Sequence, residues 1–543
     1  MSIELSRLEA VLDASGAPSR IEALLPVGVR PRQLSVRALF LGMLICQAQG
    51  RPAHLVRVHK ALVTLDHRDR LRLGVVVTWH RGPHTLTYRQ LERTFHLVVA
   101  ALAKEEPDGA PSEVLQEVAD AFVEASVEGH GDASRSLAVD WTDVESFSTR
   151  HPKPSGAYAD PEARWGHRKG GGPGEKDELF FGYYLSLATM VNDFPDGKAV
   201  PELVRRMNLV GCEHDPVPVM VQVLTSMAAA GVALGDVMCD SGYAHRVPAH
   251  FALPLRAAGA SLVMDLHPSD RGTQGTHQGA VLHHGNLYCP MTPAGLFGQA
   301  PLVRGASDAE AAAHDERAAE LGRFKLGRVS ADDQDGHDRV SCPALLGKLR
   351  CALRESSLSL SLERPEVLSP PDEPPCCCTQ RTISVPVTIN AKTAQRHDYP
   401  GKASLRSYAR RSAAERANAR IKDPATVDVA RGWCRVMGLT PMTLFLVAAI
   451  VVRNLAVADA FCARQEEDRR RGSRRAAAPD PQAPAHDPRR PGRRVERRVP
   501  VVADGFRAHR AKAAPARPGS TADTPPAATR RHRRVTAHCY NQT

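Results

Sequence analysis

Apolar positions in the first 130 residues recur at helical spacing. Leu34, Val36 and the run from Ala38 to Ile45 predict one buried helix, and Tyr88, Leu91, Phe95 and Val98 predict a second over 86–104. The pattern then changes. SRSLAVD (134–140) is a short β-prone run ending in Asp140, and WTDVESF adds Asp143 and Glu145. Residues 178–191, ELFFGYYLSLATMV, predict a strand, and 202–209 another. The uncharged stretch 216–234 predicts a helix packed on the sheet. GDVMCDSGY predicts a buried strand ending in Asp240, with Gly242 for the turn. A helix at about 246–257 leads to a last strand, ASLVMDL. The order is strand, strand, strand, helix, strand, helix, strand, which is a mixed sheet covered by helices. If its first and fourth strands are neighbours, Asp140 and Asp240 end side by side.

The rest of the chain divides by composition. Residues 150–176 are rich in Gly, Pro, Arg, Lys and His and read as a mobile loop. Residues 267–400 break the α/β rhythm with Gly, Pro, Asp and His and short β-like pieces such as RTISVPVTI (381–389), and read as an insertion. A final apolar helix covers 440–462, opened by Thr440-Pro441. Beyond 463 the chain is rich in Arg, Ala and Pro and is expected to be disordered. The expected organisation is a helical region at 1–130, a sheet-bearing domain split into 131–266 and 401–463, the insertion, and a basic tail at 464–543.

Residues 404–422 carry the most informative spacing. In SLRSYARRSAAERANARIK, Tyr408, Arg411, Glu415 and Lys422 stand at Y-x2-R-x3-E-x6-K, on one stripe of a helix. Ala409, Ala413, Ala417 and Ile421 form the opposite, core-facing side. The bland reading of Arg411 and Glu415 is an i,i+4 ion pair on a solvated face. The chemical reading is one acid to hold a cation, with a phenol and two cations to hold phosphate oxygens.

Charge narrows the partners. The net charge of +11 lies in the tail: residues 464–543 hold 20 of the 71 Lys/Arg and 8 of the 60 Asp/Glu, leaving 51 basic against 52 acidic residues before it. Contacts to DNA in the body therefore need local patches, and the tail is a candidate for non-specific binding. Arg51, Arg57, His59, Lys60, Arg68, Arg70 and Arg72 suit either a DNA-end-binding face or a solvated basic face. Arg150, Lys153, Arg164, His167, Arg168 and Lys169 are candidates to clamp DNA beside the acids, and Trp165 to stack on an unpaired base or to pack as an ordinary indole.

The opening MSIELSRLEAVLD has no charged-then-apolar leader, and Pro216, Pro218 and Gln222 interrupt the run at 216–235, so the expectation is a soluble cytoplasmic protein. Of 12 cysteines, Cys289, Cys342, Cys351 and Cys376 to Cys378 fall in the insertion. A structural Zn2+ would need them to converge, and there is no C-x2-C pair, so buried free thiols are the expectation there. Cys239 is expected to face the core.

Asp140, Asp240 and Glu415, brought together, would repel unless cations intervened. Hard oxygen ligands of this kind suit Mg2+ or Mn2+, and two such ions support in-line phosphoryl displacement. Asp143 and Glu145 are rival ligands to Asp140, which is preferred because it ends the apolar run.

LAVDWTD, VMCDSGYAHR and the Y-x2-R-x3-E-x6-K spacing together resemble the DDE transposases of bacterial insertion sequences that carry the YREK signature. The resemblance covers about 135–460. It implies a ribonuclease-H-like catalytic domain with Asp140, Asp240 and Glu415 as catalytic metal ligands for two Mg2+ or Mn2+ ions. It implies that Tyr408, Arg411 and Lys422 hold transposon-end DNA, that the partner is double-stranded DNA at both ends and target, and that the chain acts as a homodimer on DNA, associated with the nucleoid. A metal-dependent nuclease on the same fold without strand transfer, and an inactive DNA-binding relative, stay open on the sequence.

Overall fold

The longest strand organises the molecule. In the computed structural model, which describes residues 3–477 apart from 28–31, 80–81, 104–109, 152–155, 169–175, 301, 303–305, 331–336 and 426, a six-stranded mixed sheet is built from β1 (Ser136–Glu145), β2 (Arg164–Arg168), β3 (Glu178–Val191), β4 (Val204–Gly211), β5 (Asp236–Met238) and β6 (Ser261–Val263). The order is β2-β3-β1-β5-β6, with β4 also pairing β3. β1 runs antiparallel to β3 from Ser136–Val191 to Glu145–Gly182, and parallel to β5. β3 is buried along almost its whole length from Phe180 and β4 along all of it, the pattern of strands covered on both faces.

Helices supply the cover. In the first 130 residues, α1 (Val36–Ala48) is buried nearly throughout, while α2 (Tyr88–Leu102) and α3 (Glu113–Ala125) each bury one stripe. Their core is continuous with that of the sheet through Phe95, Phe122, Leu185, Leu209 and Phe445. On the other side, α4 (Pro216–Ala229) starts at an Asp215 cap followed by proline and lays Val217, Met220 and Leu224 against Val237 and Leu262. A one-turn helix α5 (Ser241–Ala244) and α6 (Ala252–Ala257) lead into β6.

The insertion folds into small sheets of Thr273–His277, Ala280–His283 and Asn286–Tyr288, and of Gly327–Ser330, Asp338–Ser341 and Ile383–Val385, with helix α7 (Asp308–Phe324) between them. It returns along the sheet edge, where Gln395 Nε2 donates to the Met264 carbonyl at 2.9 Å and its Oε1 accepts from the Met264 amide at 3.1 Å.

Several expectations need correction. β1 does not end at Asp140: ten ladder positions with β3 carry the strand to Glu145, and what stops near Asp140 is its pairing with β5. β5 itself ends at Met238. The segment 150–176 contains strand β2, whose RWGHR sequence is too polar to signal an edge strand. The helix expected at 404–422 is two helices, α8 (Lys402–Ala409) and α9 (Ser412–Ile421). At the junction the bonds tighten to i→i+3, with Arg411 N–H donating to the Tyr408 carbonyl at 2.9 Å and Ala414 N–H to the Arg411 carbonyl at 2.9 Å. Ala413, Ala414, Ala417 and Ile421 are buried, whereas Ala409 is exposed.

The last helix, α10 (Leu439–Ala477), is longer than expected. Its first donors are capped from the chain before β2: Gly438 N–H meets Asp160 Oδ1 at 3.1 Å and Leu439 N–H meets Glu162 Oε2 at 2.5 Å, so Thr440 lies inside the helix. Residues 464–477 of the expected disordered tail are helical, and 478–543 lie outside the described residues, as do Lys153 and Lys169. Leu439–Arg471 is apolar and long enough to cross a bilayer, but 78% of its apolar window is buried inside the protein, as in a core helix.

Candidate active site

The register of β1 and β5 brings the two aspartates together. Leu137 pairs with Val237 and Ala138 with Met238 in parallel, so two residues further on stand Asp140, still on β1, and Asp240, just past the end of β5. Asp140 is fixed from two sides: Oδ1 accepts from the Trp141 N–H at 2.9 Å and Oδ2 from Asn418 Nδ2 of α9 at 3.2 Å. Asp240 caps α5, its Oδ1 accepting from Gly242 N–H at 2.9 Å and Tyr243 N–H at 3.4 Å. This capping uses one carboxylate oxygen of Asp240.

Gly242 is needed here for space. A Cβ on it would sit 2.3 Å from the Trp141 ring, which packs on Tyr243 with centroids 5.1 Å apart. The indole thus ties the end of β5 to β1 beside both acids.

Burial and the Asp240 charge push the Asp140 carboxyl up to about 7, with Glu415 adding to the shift while Arg411 and the Trp141 amide oppose it. Glu415 is thus close enough to be felt at Asp140. Its side chain, however, is 57% exposed and ion-paired to Arg411. Arg411 also lies over the Tyr408 ring, 5.6 Å from its centroid. Burial works against the Arg411 charge, but Tyr408, Glu415 and Asp140 together raise its pKa. Burial likewise pushes Tyr408 up to about 12, helped by Asp265 and Asp240 against Arg411.

The rival acids are already neutralised. Asp143 binds Lys422 Nζ at 2.8 Å and the Arg168 guanidinium. Although burial opposes its charge, the hydrogen bonds from Arg168 and Lys422 hold its pKa below the usual carboxylate range. Glu145 meets Arg150 at 2.9 Å, Arg168 at 3.1 Å and Arg431 at 3.9 Å. Neither Asp140 nor Asp240 has a salt-bridge partner among the described residues. Arg168 also reaches Glu178 at 3.5 Å, so at this rim four cations, Arg150, Arg168, Lys422 and Arg431, meet three carboxylates, Asp143, Glu145 and Glu178.

Of the other candidates, Arg164 pairs with Glu213 at 2.8 Å. Trp165 is 42% exposed and sets its edge against Phe181. Cys239 is buried in the core, as expected, and burial raises its thiol pKa well above the usual value.

Asn418 was not foreseen. Its Nδ2 holds Asp140, and its Oδ1 is buried without a hydrogen-bond partner. The signal was present: asparagine is a poor helix former, and this one lies three residues past Glu415 on the same helix.

Two carboxylates without a salt-bridge partner among the described residues, Arg411 acting on Asp140 only through its charge, and an orphaned amide oxygen form a donor set that suits a hard, hydrated divalent ion. As placed, no three acidic, histidine or cysteine side chains among the described residues already surround one ion. No protein-family model matches this chain, and no curated protein matches it in sequence.

Proposed function

We propose that the chain is a DDE transposase, with a ribonuclease-H-like catalytic domain formed by the mixed sheet and α9. The observation that carries this reading is the placement of Asp140 and Asp240, each two residues beyond the Ala138–Met238 pair and without a salt-bridge partner among the described residues, while Asp143 and Glu145 beside them are paired. Glu415 belongs to the same electrostatic neighbourhood. Asp140, Asp240 and Glu415 would hold Mg2+ or Mn2+, with Asn418 orienting Asp140. When bound, the ions supply an activated water or 3′-hydroxyl and neutralise the phosphate undergoing displacement.

The chain's own residues do the rest. Arg411 releases Glu415 toward the aspartates and takes a phosphate oxygen in its place. Tyr408 holds the Arg411 guanidinium against its ring and lines the approach to Asp240. Lys422 and Arg168, in a cluster of four cations on three carboxylates, attract the DNA backbone to the rim. The substrate is duplex DNA at the two ends of the element, brought to target DNA by a homodimer in the cytoplasm.

The test is Mg2+-dependent cleavage of a duplex carrying the DNA that flanks the element, followed by joining to a plasmid. Cleavage and joined product are expected from the wild-type chain and neither from Asp240→Asn. Undiminished cutting by Asp240→Asn removes Asp240 from the site. Cutting without joining makes the chain a nuclease, and DNA binding without either makes it an inactive relative.

A further inference from the structure

The insertion gathers its thiols. Cys289, Cys342 and Cys351 lie buried in one apolar cluster with Tyr288, Phe324 and Leu349, and Cys377 and Cys378 lie in the adjoining one, with Leu353 packed against both. The backbone links the two. Val340 pairs with Ile383, Ser341 Oγ donates to the Arg381 carbonyl, and Arg354 donates to the Gln380 carbonyl. Cys342 and Cys351 are thereby drawn toward the 376–380 segment. The Sγ atoms of Cys377 and Cys378 stand 3.9 Å apart.

The local backbone fixes where these cysteines sit. Three of them open tight turns: Thr292 N–H meets the Cys289 carbonyl at 3.0 Å, Leu345 N–H the Cys342 carbonyl at 3.1 Å, and Arg354 N–H the Cys351 carbonyl at 2.9 Å. Cys289 and Cys342 are each followed by proline. The sulfurs lie within electrostatic reach of one another: Cys289 feels Cys342, Cys378 and Cys351, and Cys342 feels Cys378 and Cys351, while burial pushes both thiols up. An insertion with two small cores and short strands is the kind of unit that needs a staple.

We propose that Cys289, Cys342, Cys351 and Cys378 bind one structural Zn2+ that fastens the insertion together, with Cys377 beside it. Four thiolates suit this soft tetrahedral ion. They come from three turns and the one-turn helix Cys376–Thr379, which is why no paired motif marks the site in the sequence. The sulfurs as placed do not yet surround an ion, and binding closes them by side-chain rotation to about 2.3 Å from the metal.

The experiment uses the full chain, expressed in zinc-supplemented medium and purified without chelator. Elemental analysis is expected to find about one zinc per chain, and exchange with Co2+ to give the absorption of a tetrahedral thiolate site. Cys342→Ser and Cys378→Ser are expected to lower the zinc content at least about tenfold, while Cys377→Ser, Cys46→Ser and Asp240→Asn retain it. Retention in Asp240→Asn keeps this outcome separate from the acidic site. A wild-type chain that neither carries zinc nor gives the Co2+ spectrum overturns the proposal without recourse to variants that might misfold. Zinc retained in both Cys342→Ser and Cys378→Ser overturns it as well, and loss in Cys377→Ser but not Cys378→Ser overturns the assignment of the fourth ligand.

Discussion

Asp140 on β1 and Asp240 just past the end of the adjacent parallel strand β5 each stand two residues beyond the Ala138–Met238 pair. The consequence is electrostatic: burial first, then the Asp240 charge, raise Asp140 to about 7. The folded chain then holds a proton that the unfolded chain releases near pH 4. Folding stability without metal is therefore greatest below about pH 4 at this site and falls as pH rises toward 7. After discounting for solvent screening, the loss is on the order of 1–2 kcal/mol. Melting curves in EDTA from pH 4.5 to 7.5 check it. Asp240→Asn is expected to flatten the slope and Asp140→Asn to flatten it further. An unchanged slope in Asp140→Asn would assign the titration to another group.

Metal acts in the opposite direction. An ion that binds the two carboxylates displaces the Asp140 proton, so Mg2+ is expected to raise the melting temperature more at pH 7.5 than at pH 5.5. Isothermal titration in two buffers of different ionisation enthalpy should reveal proton release at the lower pH. Glu415→Gln is expected to weaken binding less than either aspartate variant, because Glu415 is engaged with Arg411 before the ion arrives. Equal stabilisation of wild type and Asp140→Asn would count against this site.

These residues also show where sequence reading stops. Strand β3 was legible because its apolar run is long. The two aspartates were legible because each follows a short buried run. Choosing between Asp140 and Asp143 was only partly legible. Asp140 does end the apolar run, but that does not set it apart structurally, because β1 continues past it to Glu145 on its ladder with β3. What separates the acids is their cations, and Lys422 and Arg168 reach Asp143 from 279 and 25 residues away. The break between α8 and α9 was hidden for a related reason. Arg410 is pulled inward by groups 174 to 218 residues distant, and nothing in the local pattern marks it.

Gly242 was expected to serve a turn, but the Trp141 ring sets the constraint. In Gly242→Ala the new methyl carbon would start 2.3 Å from the indole and 3.0 Å from Asp240 Oδ1, so one of them must move. A destabilisation of about 1–3 kcal/mol is expected by chemical denaturation, together with weaker Mg2+ binding. Trp141→Phe in the same background should recover part of both by making room. No recovery would mean that backbone conformation, and not the ring, demands glycine.

Lys422 tests the phosphate rim. Its pair with Asp143 is partly exposed, at 33% for the lysine side chain, and Asp143 keeps Arg168 when the lysine is removed. Lys422→Ala is therefore expected to change stability by less than about 1 kcal/mol. Its effect should appear in DNA binding, as a fall in affinity and a salt dependence shallower by about 0.9 in log–log slope. An unchanged slope would show that Lys422 meets no phosphate.

Two neighbouring arginines should behave as opposites. Arg410 is buried; its Nη2 meets Asp236 at 2.5 Å and its Nη1 meets the Asn192 and Asp193 carbonyls at 2.7 and 2.8 Å. Asp236 is 1% exposed and would keep only Arg396, at 3.1 Å. Arg410→Ala should therefore cost about 3–5 kcal/mol in a denaturant titration, because a buried carboxylate and two carbonyls lose their donor. Arg411 instead pairs with a Glu415 side chain that is mostly in solvent, so Arg411→Ala should cost less than about 1 kcal/mol. Its loss should fall on DNA affinity and cleavage, since its guanidinium lies between Tyr408 and the acids. If Arg411→Ala were the unstable variant and Arg410→Ala the well-folded inactive one, the division between anchor and ligand-facing cation drawn at this helix junction would be reversed.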